Sequence, residues 1–289
     1  MTYIGRFAPS PSGPLHMGSL LAAIGSALDA LHHNGSWLLR MEDLDPQRSK
    51  AEFEHRILEQ LDAHGLTVPL AGMMRQSTRT AAYWAALAPL QARGLLFACD
   101  CTRAQRLAQA DACCERRCRD TQRDPEKSAL RADLTQLLAA EIKDHNLGRI
   151  FFDPARHRDV VVWRRDGVAA YHLAVVVDDA AQGVTDVVRG ADLADSVPWQ
   201  YALQTLLGLP IPRYLHLPVL TDADGRKLSK RDHAAPIGVA DAPQAMRNVL
   251  RWLRQDAPPP GLTVKEILRW SASRWAPDRF QGITQLPIH

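Results

Sequence analysis

The stretch Arg6-Phe7-Ala8-Pro9-Ser10-Pro11-Ser12-Gly13-Pro14-Leu15-His16-Met17-Gly18-Ser19 decides how this chain of 289 residues is read. Thr2 to Phe7 can form a short strand, and Pro9, Pro11, Gly13 and Pro14 then forbid regular structure. From Ser19 the apolar residues Leu20, Leu21, Ile24, Leu28 and Leu31 follow helical spacing, and Asn34-Gly35 supplies a C-terminal stop. A glycine-containing turn feeding a helix aims free N–H groups and the positive helix end at an anion. Gly18 would let the backbone approach a nucleotide closely, and His16 could donate to a phosphate oxygen. The pattern is not the Gly-x-x-x-x-Gly-Lys-Ser phosphate loop, so P-loop chemistry is disfavoured. The competing reading is a proline-rich connector with an incidental histidine.

Working outward, Trp37-Leu38-Leu39-Arg40-Met41 reads as a buried strand, with Glu42-Asp43 just beyond its carboxyl end. Ser49 and Glu52 have capping-box spacing, which predicts a helix running to about His64 and stopping at Gly65. This alternation predicts an α/β fold with a parallel sheet, whose ligands bind beyond the carboxyl ends of the strands. Arg6 to Ser10 and Glu42 would line that crevice. Much later, an apolar strand around Tyr214 to Leu220 is followed by the turn Asp222-Ala223-Asp224-Gly225 and by Lys227-Leu228-Ser229-Lys230-Arg231. Two lysines on a loop can close over a triphosphate and neutralise charge developing at its α-phosphate. Alone, this run would read as a solvated basic loop. With the first stretch upstream, it looks like the second half of an adenylate-forming nucleotide site.

Composition sets modest limits. Hydrophobic content of 46% and charged content of 23% are ordinary for a soluble enzyme, and the length suits one large domain plus an insertion or appendage. A formal charge of +3 permits a nucleic-acid partner through a local patch without arguing for one. No apolar run approaches a membrane span, and the first residues lack a secretory pattern, so a cytoplasmic protein without membrane contact is expected.

In that compartment the five cysteines are expected as thiols or metal ligands rather than disulfides. Cys99-Asp100-Cys101 is followed by Cys113-Cys114 and Cys118. Cys99, Cys101, Cys114 and Cys118 can supply four thiolates to one closed, structural zinc site. Cys113 is the alternative to Cys114, and disulfide pairing is the rival to metal. Arg116, Arg117 and Arg119 are expected to lower the thiol pKa values and favour ligation.

The two signatures resemble those of the class I aminoacyl-tRNA synthetases, typified by His-Ile-Gly-His and Lys-Met-Ser-Lys-Ser. Here they read His16-Met17-Gly18-Ser19 and Lys227-Leu228-Ser229-Lys230-Arg231, and Arg6 to Gly18 is most similar to the glutamyl branch. Ser19 stands where the first motif ends in histidine, and Arg231 where the second ends in serine. The resemblance implies a Rossmann-like fold, a catalytic pair His16 and Lys230, and ATP contacts at His16, Gly18, Lys227, Ser229 and Lys230. For glutamate it implies Arg6, Ala8, Ser10, Glu42, Tyr171 and Arg189. Chemistry agrees: Arg6 and Arg189 can grip carboxylates, Glu42 can pair with the ammonium, and Tyr171 can hydrogen-bond a carboxylate. Tyr171 is expected just before an apolar strand Leu173 to Val177, and Arg189 just after a strand Asp186 to Val188.

The resemblance also divides the chain. Residues 1–94 and 183–235 would be the two halves of the catalytic domain, and 95–182 a connective insertion with the zinc segment and a long helix Ser128 to His145. Residues 236–289 would be a helical region built on Asp241 to Arg254 and Val264 to Trp275, with no anticodon-binding domain after it. The string Val187-Val188-Arg189-Gly190-Ala191-Asp192-Leu193 is similar to the short relatives, the glutamyl-queuosine tRNA(Asp) synthetases. That subgroup implies ATP- and Mg2+-dependent activation of L-glutamate without tRNA, then transfer to queuosine in the tRNA(Asp) anticodon loop, by a monomer. A conventional glutamyl or glutaminyl synthetase, another nucleotidyltransferase and a catalytically silent RNA-binding paralogue are the alternatives.

Overall fold

A computed structural model of the chain describes residues 2–67, 72–101, 118, 123–124, 127–222, 225–226 and 237–288. Strand β1 (Ile4–Phe7), helix α1 (Met17–His32), β2 (Ser36–Met41), α2 (Ala51–Ala63) and the short β3 (Met74–Arg75) follow in order. β1, β2 and β3 are neighbours in one parallel sheet, with Ile4 opposite Ser36 and Arg40 opposite Met74. This is the predicted strand–helix alternation. The helix α2 differs at its start: Lys50 caps it without a side-chain bond, so the Ser49–Glu52 capping box does not form. The Ser49 N–H instead donates to the Asp45 carbonyl, and Glu52 pairs with Lys50.

After α3 (Thr80–Ala92), β4 (Leu96–Cys99), β5 (Ala129–Asp133) and β8 (Asp159–Trp163) form an antiparallel sheet in the order β4-β5-β8. Between β5 and β8 lies the hairpin β6 (Ala140–Asp144) and β7 (Gly148–Phe152). The expected helix Ser128 to His145 is therefore two strands and a turn. Leu130, Ala132 and Leu134 are buried at alternate positions, and the Asp133 carboxylate accepts from the Thr135 N–H and hydroxyl to turn the chain. Leu138, between the two strands, is 86% exposed.

Helix α4 (Tyr171–Ala181), β9 (Asp186–Gly190), α5 (Val197–Leu207) and β10 (Arg213–Leu217) complete the central sheet, ordered β7-β6-β10-β9. The Leu173 to Val177 segment, expected as a strand, is the middle of α4. Val175 and Val176 are buried on a helix, and Asp178 and Asp179 beyond them meet buried partners; tertiary contacts override the β preference of the run. Arg189 lies within β9 rather than after it. The two halves of the sheet meet where the Thr185 N–H donates to the Ile4 carbonyl and the Ile4 N–H donates to Thr185 Oγ1, each at 2.9 Å.

Strand β11 (Val219–Thr221) pairs in parallel with β12 (Gln285–Pro287), after the expected helices α6 (Ala242–Trp252) and α7 (Val264–Ala272). The core runs from α1 through β2 to these last helices, with Leu20, Ile24, Leu28, Met41 and Val249 fully buried. A Cβ on Gly25 would stand 2.5 Å from Leu217 Cδ1, so glycine there lets α1 lie directly on β10. No helix among the described residues is long and apolar enough to cross a membrane.

Candidate active site

A cavity of about 330 Å3 opens at the carboxyl ends of β1, β2 and β9, beside the start of α1. That is a size suited to a small ligand. The structure brings Arg6, Ala8, Ser10, His16, Gly18, Glu42, Tyr171 and Arg189 onto its walls. The 227–236 segment, with Lys227, Ser229 and Lys230, lies outside the described residues. Of the expected turn before it, Asp222 and Gly225 are described: Asp222 Oδ1 accepts from the Arg226 N–H at 2.8 Å, and Gly225 has φ +77°. Val219 and Leu220 of β11, which lead into that turn, also line the cavity.

The proline-rich loop is held from three sides. The Glu42 N–H donates to the Pro9 carbonyl (3.0 Å), the Lys50 N–H to that of Pro11 (3.1 Å), and the Leu15 N–H to Gln60 Oε1 (2.7 Å). Gln60 is fully buried and also donates to the Ile237 carbonyl, tying loop, α2 and the C-terminal part together. His16 is the N-cap of α1, its Nδ1 accepting from the Ser19 N–H at 3.3 Å. Its Nε2 lies 3.0 Å from Ser19 Oγ, so the serine at the motif's last position contacts the first histidine.

Behind the cavity wall, Arg6 shares one buried carboxylate with Arg40. Asp179 Oδ1 accepts from Arg6 Nε at 3.2 Å and from Arg40 Nη1 at 2.6 Å. Burial penalises this carboxylate, but Arg40 and Arg6 outweigh it and hold the acid below its usual range. Glu42 shows the opposite balance. Burial pushes its carboxyl up although Arg40 and Arg6 pull it down, the nearer being Arg40 Nη2 at 3.4 Å. A bound ammonium would restore that balance. Tyr171, the first residue of α4, is kept a phenol by burial and so offers a donor.

Arg189 is held differently. Its Nε donates to His216 Nε2 at 3.1 Å, its Nη2 to the Leu193 carbonyl at 3.2 Å, and its guanidinium lies 5.7 Å from the centre of the Tyr214 ring. Gly190 lets the chain fold back: a Cβ there would stand 2.5 Å from Asp192 Oδ1. Asp179, Arg40, His216 and Asp144 escaped sequence reasoning. Two adjacent acids in the apolar Leu173–Ala181 run, and a histidine inside an apolar strand, were the available signals.

The Sγ atoms of Cys99, Cys101 and Cys118 all lie within 4.8 Å of one another, with Cys99 and Cys118 buried. Cys101 and Cys118 Sγ are 3.6 Å apart. Tetrahedral thiolates about 2.3 Å from zinc stand about 3.8 Å from one another, so this set fits such an ion. Cys113 and Cys114 lie outside the described residues, as do Arg116, Arg117 and Arg119. Burial pushes the Cys118 thiol up.

Comparison with known proteins places this arrangement. The family described as tRNA synthetases class I (E and Q), catalytic domain, matches residues 4–253. The chain belongs to this family. Like the rest of this class I synthetase family, it is a ligase. A glutamyl-Q tRNA(Asp) synthetase of Pseudomonas syringae pv. tomato is 46% identical over 276 residues, covering 94% of this chain and 92% of the relative. One from Pseudomonas aeruginosa PAO1 is 43% identical over 296 positions, covering 99% of this chain and 98% of the relative. The fold is that of a glutamate tRNA ligase from Elizabethkingia meningosepticum, solved with its amino acid: TM-score 0.80, 22% identity, covering 100% of this synthetase-family chain and 67% of the other.

Proposed function

We propose that this ligase uses ATP to activate L-glutamate as glutamyl-adenylate without tRNA, and then transfers the glutamyl group to queuosine in tRNA(Asp). The observation that carries the reading is one cavity lined by two buried guanidiniums, Arg6 and Arg189, and by the half-buried carboxyl of Glu42. Free glutamate has two carboxylates and one ammonium, the complement of that set. The names of the relatives, matched over nearly their whole length, supply the queuosine acceptor.

In the first step the glutamate α-carboxylate attacks the α-phosphate of ATP, a bond to the bridging oxygen breaks, and pyrophosphate leaves. Two anions must be brought together, so orientation and charge neutralisation are the main requirements. Arg6, Arg189, Glu42 and Tyr171 orient the amino acid, with Ala8 and Ser10 on the same wall. His16 and Gly18 at the start of α1 face the phosphates, and Lys227, Ser229 and Lys230 close over them. Magnesium bound with the nucleotide would screen the charge of its phosphates. In the second step a hydroxyl of the queuosine ring attacks the activated carbonyl and AMP leaves.

Cys99, Cys101 and Cys118, with Cys114 or Cys113 as the fourth, would hold a structural zinc ion. The zinc would staple β4 to the segment beyond it and take no part in the chemistry. The catalytic halves are assigned to 1–94 and 183–235, the insertion to 95–182 and a helical region to 236–289. Glutamate-dependent exchange of pyrophosphate into ATP tests the first step. The proposal requires exchange without tRNA, and exchange only in its presence would rule the queuosine reading out.

A further inference from the structure

Beside the cavity, three adjacent strands carry a buried polar chain. Asp144 ends β6, His216 is the fourth residue of β10, and Arg189 is the fourth of β9, directly opposite His216 in the parallel register. Asp144 and His216 have no exposed side-chain surface. Asp144 Oδ2 lies 2.6 Å from His216 Nδ1, and Arg189 Nε donates to His216 Nε2 at 3.1 Å. A guanidinium can only donate, so His216 Nε2 must accept, and the ring proton must sit on Nδ1 and point at Asp144.

Asp144 is itself fixed, its Oδ1 accepting the N–H groups of Asn146 (2.9 Å) and Leu147 (2.7 Å). Burial keeps His216 neutral, with the Arg189 charge adding to the effect. His172 is likewise lowered to about 4 by burial, with the Arg189 charge adding. The groups that hold Arg189 are thus a neutral imidazole, a carbonyl and an aromatic ring. Arg6, by contrast, is bonded directly to the anion Asp179. One Arg189 nitrogen, Nη1, is buried without a hydrogen-bond partner among the described residues, on a residue that lines the cavity.

We propose that His216 is a positioning residue, and that Asp144 fixes the imidazole tautomer with which it aims Arg189 at a substrate carboxylate without neutralising it. The inference rests on the proposed glutamate site and adds to it the device that keeps one of its two arginines available. Replacing Asp144 by Asn would leave Oδ1 with its backbone donors and turn an NH2 group toward His216 Nδ1. The imidazole proton would then move to Nε2 and face the Arg189 N–H, donor against donor.

The test is pyrophosphate exchange at varied glutamate and varied ATP, with thermal unfolding, for the wild type, His216→Asn, His216→Gln and Asp144→Asn. Asn at 216 keeps a donor for Asp144 but loses the acceptor for Arg189, whereas Gln reaches far enough to keep the acceptor. His216→Asn and Asp144→Asn are expected to raise the glutamate KM about tenfold or more, with ATP KM and kcat within about threefold. His216→Gln is expected to recover most of that affinity. An unchanged glutamate KM in His216→Asn, equal losses in the Asn and Gln variants, or a fall in kcat alone would overturn the inference. If His216→Asn fails to fold, the glutamate KM of Asp144→Asn decides in its place, and an unchanged value there overturns the inference equally. A wild type with no glutamate-dependent exchange would instead overturn the functional reading, and this inference with it.

Discussion

Arg6 Nε donates to Asp179 Oδ1 at 3.2 Å, joining the first strand to α4 across 173 positions of sequence. The same oxygen accepts Arg40 Nη1, and all three side chains are buried. One carboxylate therefore fixes the arginine that opens the first motif and the arginine two residues before Glu42.

Asp179→Asn takes the bonded anion from buried Arg6 and leaves buried Arg40 with Glu42 alone. Removing one partner of a buried pair costs about 3–5 kcal/mol, so urea unfolding is expected to show a loss of that order, together with a raised glutamate KM. The pH dependence has a definite sign. The folded pKa of Asp179 lies below its unfolded value, so its contribution is complete above about pH 4 and is lost as the pH falls through the folded pKa. The variant is expected to lose less stability than the wild type over that acid range. Parallel acid-unfolding curves would contradict it.

Glu42 titrates in the other direction. Burial raises its carboxyl above the usual range, so protonation begins at a higher pH than for a free side chain. Since only the anion can pair with an ammonium, kcat/KM for glutamate is expected to fall with decreasing pH from above the ordinary value of about 4.3. In Glu42→Gln that limb disappears and affinity drops about a hundredfold. A Gln variant with the wild-type acid limb would assign the titration elsewhere.

Lys230→Ala is expected to lower exchange by about two to three orders of magnitude, the usual scale for one charge-stabilising donor. Glutamate binding, measured by calorimetry, should change little. Comparable exchange in wild type and variant would remove Lys230 from the chemistry.

Metal analysis of the purified protein should give about one zinc per chain. Cys118→Ser, which removes a buried member of the thiol cluster, should lose the ion and lower the melting temperature. Zinc retained in full would exclude this cysteine as a ligand.

Legibility in the sequence followed the range of the interactions. β1, α1, β2 and α2 were readable because their apolar spacing and stop signals are local, as Asn34 with φ 51° and Gly65 with φ +73° show. The 128–145 segment is two strands of different sheets because spacing over a short apolar stretch does not distinguish strand from helix, and α4 is a helix although its valines favour strands. At the site, Arg6, Glu42, Tyr171 and Arg189 were found through the resemblance, and the structure sets them around one cavity. Their supports were not found. Asp179 and His216 acquire meaning only through partners more than twenty positions away, on other elements.

The most direct measurement offers the purified enzyme ATP, labelled glutamate and two forms of tRNA(Asp), one carrying queuosine and one carrying guanosine at that position. The account predicts label on the queuosine form alone. Equal labelling of both, with the glutamate released from the 3′ terminal adenosine, would contradict it and make the protein a conventional charging enzyme.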